Sequence, residues 1–90
     1  MLARVATFDA LPDDVSDDAV DLLRETIRNV PGYVGGFHLV DPQTRKALSV
    51  VVLEDMAAVQ RAGAALAARP AAKKVGIEPD RVEYFDAVAF

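Results

Sequence analysis

His38 is the single histidine of the chain and stands in the run PGYVGGFHLVD, residues 31–41. An unperturbed imidazole titrates at about pH 6.5, which suits a strand histidine facing a cavity to abstract a proton near neutrality. Tyr33 and Phe37 lie in the same run and Tyr84 lies near the C-terminus. Arg4 is set among apolar residues, so its guanidinium must reach a carboxylate, a ligand or the rim. The residues expected to meet a ligand are therefore Arg4, Tyr33, Phe37, His38 and Tyr84, with His38 the one catalytic candidate. A packed or hydrogen-bonded histidine in the sheet is the plainer reading of the same residue, and the favoured one.

Other chemistries are excluded by residue type and spacing. With no cysteine and one histidine there is neither a thiolate nor a His-rich metal site, and the acidic residues Asp13, Asp14, Asp17 and Asp18 lack the alternating spacing of a calcium loop. No metal and no cofactor are expected. Ser49 falls on the strand predicted to pair with that of His38, but no third residue fixes the orientation a nucleophile triad needs. The glycines of GYVGGF follow a predicted helix and open a strand, the reverse of a phosphate-binding loop. They read instead as turn geometry at Gly32 and a bulge or close packing at Gly35 and Gly36. A net charge of −4 and a pI near 4.7 argue against nucleic acid. No apolar run approaches the roughly 20 residues of a membrane span, and the N-terminus is too short and too alternating for a signal peptide, so a soluble cytoplasmic protein is expected.

The elements that would carry these residues follow from periodicity. Residues 2–8 alternate as a strand. Ser16 caps a helix running to about Asn29, with Val20, Leu23, Ile27 and Val30 as its buried stripe and Asp21, Arg24, Glu25 and Arg28 on the wet side. Pro31 and Gly32 end it. Residues 33–40 form a strand with Tyr33, Gly35, Phe37 and Leu39 on one face and Val34, Gly36, His38 and Val40 on the other. Asp41 and Pro42 open a turn into the strand KALSVVVL. Asp55 caps a second helix with the stripe Met56, Val59, Gly63 and Leu66, where Gly63 marks either a close approach to the sheet or room for something else. Residues 71–80 read as an irregular connection and RVEYFDAVAF as a last strand.

Residues 1–90 thus form one α+β domain of ferredoxin-like order, β-α-β-β-α-β, an antiparallel four-stranded sheet with two helices on one face. Two helices cover only one face, yet SVVVL, FHLV and AVAF are apolar on both. A homodimer joined through its sheet faces buries the second face and closes a barrel. The succession of PGYVGGF, the hairpin LVDPQTRKALSVVVLED and the Ala-rich helix after Glu54 and Asp55 resembles the dimeric α+β barrel superfamily, near its antibiotic-biosynthesis monooxygenase branch, over essentially the whole chain. The resemblance implies a cofactor-independent, monooxygenase-like activity. Members that oxygenate polycyclic quinones or degrade haem rely on Trp and Asn, with a helix-borne His in the haem branch. This chain has no Trp, its sole Asn29 ends a helix and its sole His is on a strand, so no family catalytic residue carries across.

Two function classes stand on these residues. One is an enzyme acting on a small apolar or aromatic metabolite held between sheet and helices, with His38 as base and Arg4 or Tyr33 orienting the substrate. The other is a non-catalytic dimeric module for ligand binding or assembly. The small residues Ala57, Ala58, Ala62, Gly63, Ala64 and Ala65 of the second helix predict a pocket of at least a few hundred Å³, touched by His38 or Tyr33.

Overall fold

A computed structural model of the protein describes residues 1–69 and 77–90. Its elements are β1 (Leu2–Phe8), α1 (Asp17–Arg28), β2 (Tyr33–Val40), β3 (Ala47–Leu53), α2 (Met56–Ala67) and β4 (Arg81–Asp86). The strands form one antiparallel sheet in the order β2-β3-β1-β4, the ferredoxin-like arrangement the sequence predicts. Both helices open on the expected caps. The Ser16 hydroxyl accepts from the Ala19 amide at 3.3 Å and the Asp55 carboxylate from the Ala58 amide at 2.9 Å. Each such cap is worth about 1 kcal/mol. Among the described residues no helix is long and apolar enough to cross a membrane.

Strand pairing fixes which side chains share a face, because residues opposite one another point the same way. Tyr33, Gly36, His38 and Val40 of β2 stand beside Leu53, Val51, Ser49 and Ala47 of β3, and these beside Leu2, Arg4, Ala6 and Phe8 of β1. The helices cover this side, since Val51 and Leu53 pack with Ile27 and Val30 at the end of α1 and with Ala58 and Ala62 of α2. The opposite side carries Phe37, Leu39, Leu48, Val50, Val52, Val5 and Phe85, and there Phe37 is 70% exposed and Phe85 50%.

Three expectations are corrected and one alternative is decided. Tyr33 shares the helix side with His38 rather than lying opposite it, because the β2–β3 register shifts between Tyr33 and Gly35, a bulge that inserts one extra residue. The buried stripe of α2 runs through Ala58 and Ala62, with Val59, Ala65 and Leu66 packed alongside, while Met56 is exposed. Of the two alternatives for Gly63, open space holds and the close approach to the sheet does not. The last strand ends at Asp86, and the following AVAF segment adds one backbone bond, Ala87 N–H to the Met1 carbonyl at 2.9 Å. The irregular connection expected at 71–80 lies mostly outside the described residues.

The glycine of close approach is Gly32. Its φ of +95° favours glycine, and an added Cβ would stand 2.7 Å from the Ala58 Cβ. The turn is further held by the Arg61 guanidinium, whose Nε and Nη2 donate to the Pro31 carbonyl at 3.1 and 2.9 Å, and by the Glu54 amide, which donates to the Gly32 carbonyl at 2.8 Å. These bonds tie α2 to the start of β2.

Candidate functional site

Among the described residues the helix side of the sheet is filled at one end and hollow at the other. At the Leu53 end, Val51, Leu53, Ile27 and Val30 fill the space against Ala58 and Ala62. At the Ala47 end the floor is made of small residues, Ala6, Ala47 and Ser49, and the roof of Val20, Leu23 and Ile27 stands above a cavity of about 720 Å³. That volume lies within the ordinary range for small-molecule sites, roughly 300–1,000 Å³. Leu66 and Ala67 at the end of α2 border it, but the middle of α2 does not. The hollow is therefore produced by the small residues of the sheet, and not by the alanines of the second helix as the sequence suggests.

His38 stands on the cavity wall at the β2 edge, opposite Ser49 in the register. Its Nδ1 accepts a hydrogen bond from the Arg24 Nε–H at 2.9 Å, and Arg24 Nη1 reaches the Asp21 carboxylate at 3.4 Å. Partial burial holds the imidazole pKa below its ordinary 6.5, and the neighbouring Arg24 charge lowers it further. His38 is therefore neutral at pH 7. An arginine Nε–H is always a donor, so the accepting Nδ1 carries no proton and the neutral ring bears its hydrogen on Nε2. Such a ring presents a donor, whereas a general base presents a lone pair.

Arg4 also lines the main cavity, on the same face and two strands away from His38, which sets the two backbones roughly 10 Å apart across the sheet. Tyr33 and Phe37 border a smaller recess of about 180 Å³ shared with His38 and Arg24. Phe37 belongs to the face away from the helices, and Tyr84, half exposed on the edge strand, borders neither space. Of the five expected residues the structure thus brings Arg4 and His38 to the main cavity and leaves Tyr84 apart.

Arg24 is the residue that sequence reasoning assigned to the solvent side and the structure assigns to the site. The signal was present: Arg24 follows Val20 by four and precedes Ile27 by three, so it borders the apolar stripe of α1. Arg45 was equally hidden. It closes the β2–β3 turn in the left-handed region at φ 64°, donates to the Pro12 carbonyl at 3.4 Å and stands 3.6 Å from the Asp13 carboxylate at the cavity edge.

No protein-family model matches the chain, and no curated protein matches it. Solved structures do. A monooxygenase of Streptomyces coelicolor, ActVA-Orf6, in complex with the ligand nanaomycin D, superposes with a TM-score of 0.63 at 18% identity over 99% of this chain and 88% of that one. An antibiotic biosynthesis monooxygenase gives 0.58 at 19% identity, covering 99% and 100% of the two chains. Rv0793 of Mycobacterium tuberculosis gives 0.59 at 15%, covering 99% and 96%. Element order, sheet topology and these superpositions agree on the fold: the chain is ferredoxin-like, and it shares that fold with these solved structures.

Proposed function

We propose that this protein is a cytoplasmic homodimer, each subunit of which holds one small, largely apolar or aromatic metabolite between its sheet and helices. The observation that carries the reading is the cavity of about 720 Å³ floored by Ala6, Ala47 and Ser49 and roofed by Val20, Leu23 and Ile27. A half-open recess with an apolar floor and roof and polar groups around its edge has the makeup of a small-molecule site. The fold shared with monooxygenases supports a monooxygenase-like turnover without a cofactor, in which dioxygen is the second substrate. A non-catalytic binding or assembly module is the second reading. It is favoured by the engagement of His38 Nδ1 with Arg24, which removes the lone pair a base would use.

A metabolite screen by thermal shift tests occupancy. A ligand at 100 times its dissociation constant adds about 2.7 kcal/mol, which in a domain of this size raises the melting temperature by about 10–20 °C. Ser49→Leu, which fills the floor, should abolish the shift. A shift that survives Ser49→Leu would remove the cavity as the site. Oxygen consumption with a compound that shifts the wild type then separates the two readings: uptake supports turnover, and binding without uptake supports the module.

A further inference from the structure

The cavity is electrostatically unlike the molecule around it. The chain carries a net charge of −4, yet four arginines, Arg4, Arg24, Arg45 and Arg69, border the cavity against three carboxylates, those of Asp13, Asp17 and Glu78. Two of the four arginines face a carboxylate, Arg45 against Asp13 at 3.6 Å across the cavity edge and Arg24 against Asp21 at 3.4 Å. Arg69 has Nε and Nη1 buried with no hydrogen-bond partner among the described residues. Arg4 makes no side-chain hydrogen bond or ion pair among the described residues. Donors outnumber acceptors on this wall.

His38 adds to that excess because of how Arg24 holds it. The two ring nitrogens of an imidazole point away from one another, so with the Arg24 Nε–H on Nδ1 the Nε2–H is turned away from the Arg24 guanidinium, and no described residue accepts from it. An imidazole whose Nδ1 accepts from a guanidinium is also the more polarised donor at Nε2, since charge-assisted bonds strengthen one another along a chain.

We propose that the Arg24–His38 pair is an oxyanion-recognising device: Arg24 positions and polarises His38, and the His38 Nε2–H donates to an ionised oxygen on an aromatic or conjugated ligand. The inference rests on the occupancy reading above and names its ligand class, a flat apolar body bearing a carboxylate or an ionised hydroxyl. Ser49 and Ala6, next to His38 in the same cross-strand row, leave room for the flat body, and Arg4, two residues before Ala6 on the same face of β1, stands in the neighbouring row for a second oxygen. His38 is the group that touches the ligand. Arg24, half exposed on the surface of α1, is a positioning residue and tolerates substitution.

The test uses the full chain at pH 8 with 2-naphthoate, 1-naphthol-2-sulfonamide in its ionised form, and methyl 2-naphthoate as the neutral counterpart, titrated by calorimetry. Because the chain has one histidine, nitrogen-15 labelling of histidine gives a single imidazole whose tautomer is read directly by NMR. We expect the Nε2–H tautomer in the free protein and at least tenfold tighter binding of an anionic probe than of the ester. Arg24→Gln should populate the other tautomer and erase the preference, read as the ratio of anion to ester affinity within that variant. Naphthoate alone preferring the site identifies a carboxylate ligand, and the ionised naphthol alone a phenolate one. Equal affinity for the anions and the ester, an Nδ1–H tautomer, or a preference that survives Arg24→Gln overturns the inference while the occupied cavity stands. If neither anions nor ester bind at millimolar concentration, the occupancy reading falls and this inference falls with it.

Discussion

His38 shows how one hydrogen bond decides what a titratable group does. Burial and the Arg24 charge both disfavour the imidazolium, so the folded pKa lies below 6.5 and the unfolded chain takes up the proton first as pH falls. The contribution is thus fully present above pH 6.5 and is lost as pH falls through that value towards the folded one. Urea midpoints measured from pH 8 to pH 5 should fall for the wild type more steeply than for His38→Gln. Parallel curves would show that His38 is not held neutral by its surroundings. Asp41 is also depressed, by the Gln43 and Thr44 amides that donate to its carboxylate, but it acts around and below its ordinary 3.8 and is common to both proteins.

At the scale of elements, α2 carries a removable weakness. Gly63 lies in the interior of the helix, its backbone is not left-handed, and an added Cβ meets nothing within 4 Å. Gly63→Ala should therefore stabilise the protein by about 0.5–1 kcal/mol, a rise of roughly 2–8 °C in melting temperature. Calorimetry showing a loss instead would mean that the outer face of α2 is covered in the assembled protein. The same helix shows where sequence reading reaches and where it stops. Caps, helix limits and the limits of the first three strands were legible because they depend on neighbours in the chain: Ser16, Asp55, Pro31 and Gly32 act within a few residues. The face of an alanine-rich helix was not legible, because Ala57, Ala58, Ala62 and Ala64 are alike in hydropathy and only the packing of Ala58 and Ala62 under the Gly32 turn separates them. For the site, His38 and Arg4 announced themselves by rarity and setting. Arg24 did not, since an arginine among charged residues on a helix resembles any solvated one.

Across the whole molecule the unfinished feature is the sheet face away from the helices. Phe37, Leu39 and Phe85 are each about half exposed or more, and with Leu48, Val50, Val52 and Val5 they spread over the four adjoining strands. A contiguous apolar surface of this kind marks an interaction site. We expect sedimentation to give a dimer at micromolar concentration, with more than roughly 2,000 Å² buried in total. Phe37→Asp, at the most exposed of these positions, should yield monomers or insoluble protein, because a carboxylate without a partner in an apolar interface costs several kcal/mol. A soluble wild-type monomer, or a Phe37→Asp dimer of unchanged affinity, would contradict this use of the face.

The bulge after Tyr33 reaches further than the turn it sits in. Tyr33 and His38 are five residues apart, an odd number, and in an unbroken strand they would project to opposite sides. The additional residue at Val34 restores the parity that puts both under the helices. Residue counting is consequently an unsafe ruler along β2. In a related chain without the bulge, a histidine serving the same cavity would lie one place closer to its tyrosine. An ungapped alignment would then match His38 to a residue of the outer face, and the shared site would pass unnoticed between two sequences that fold alike.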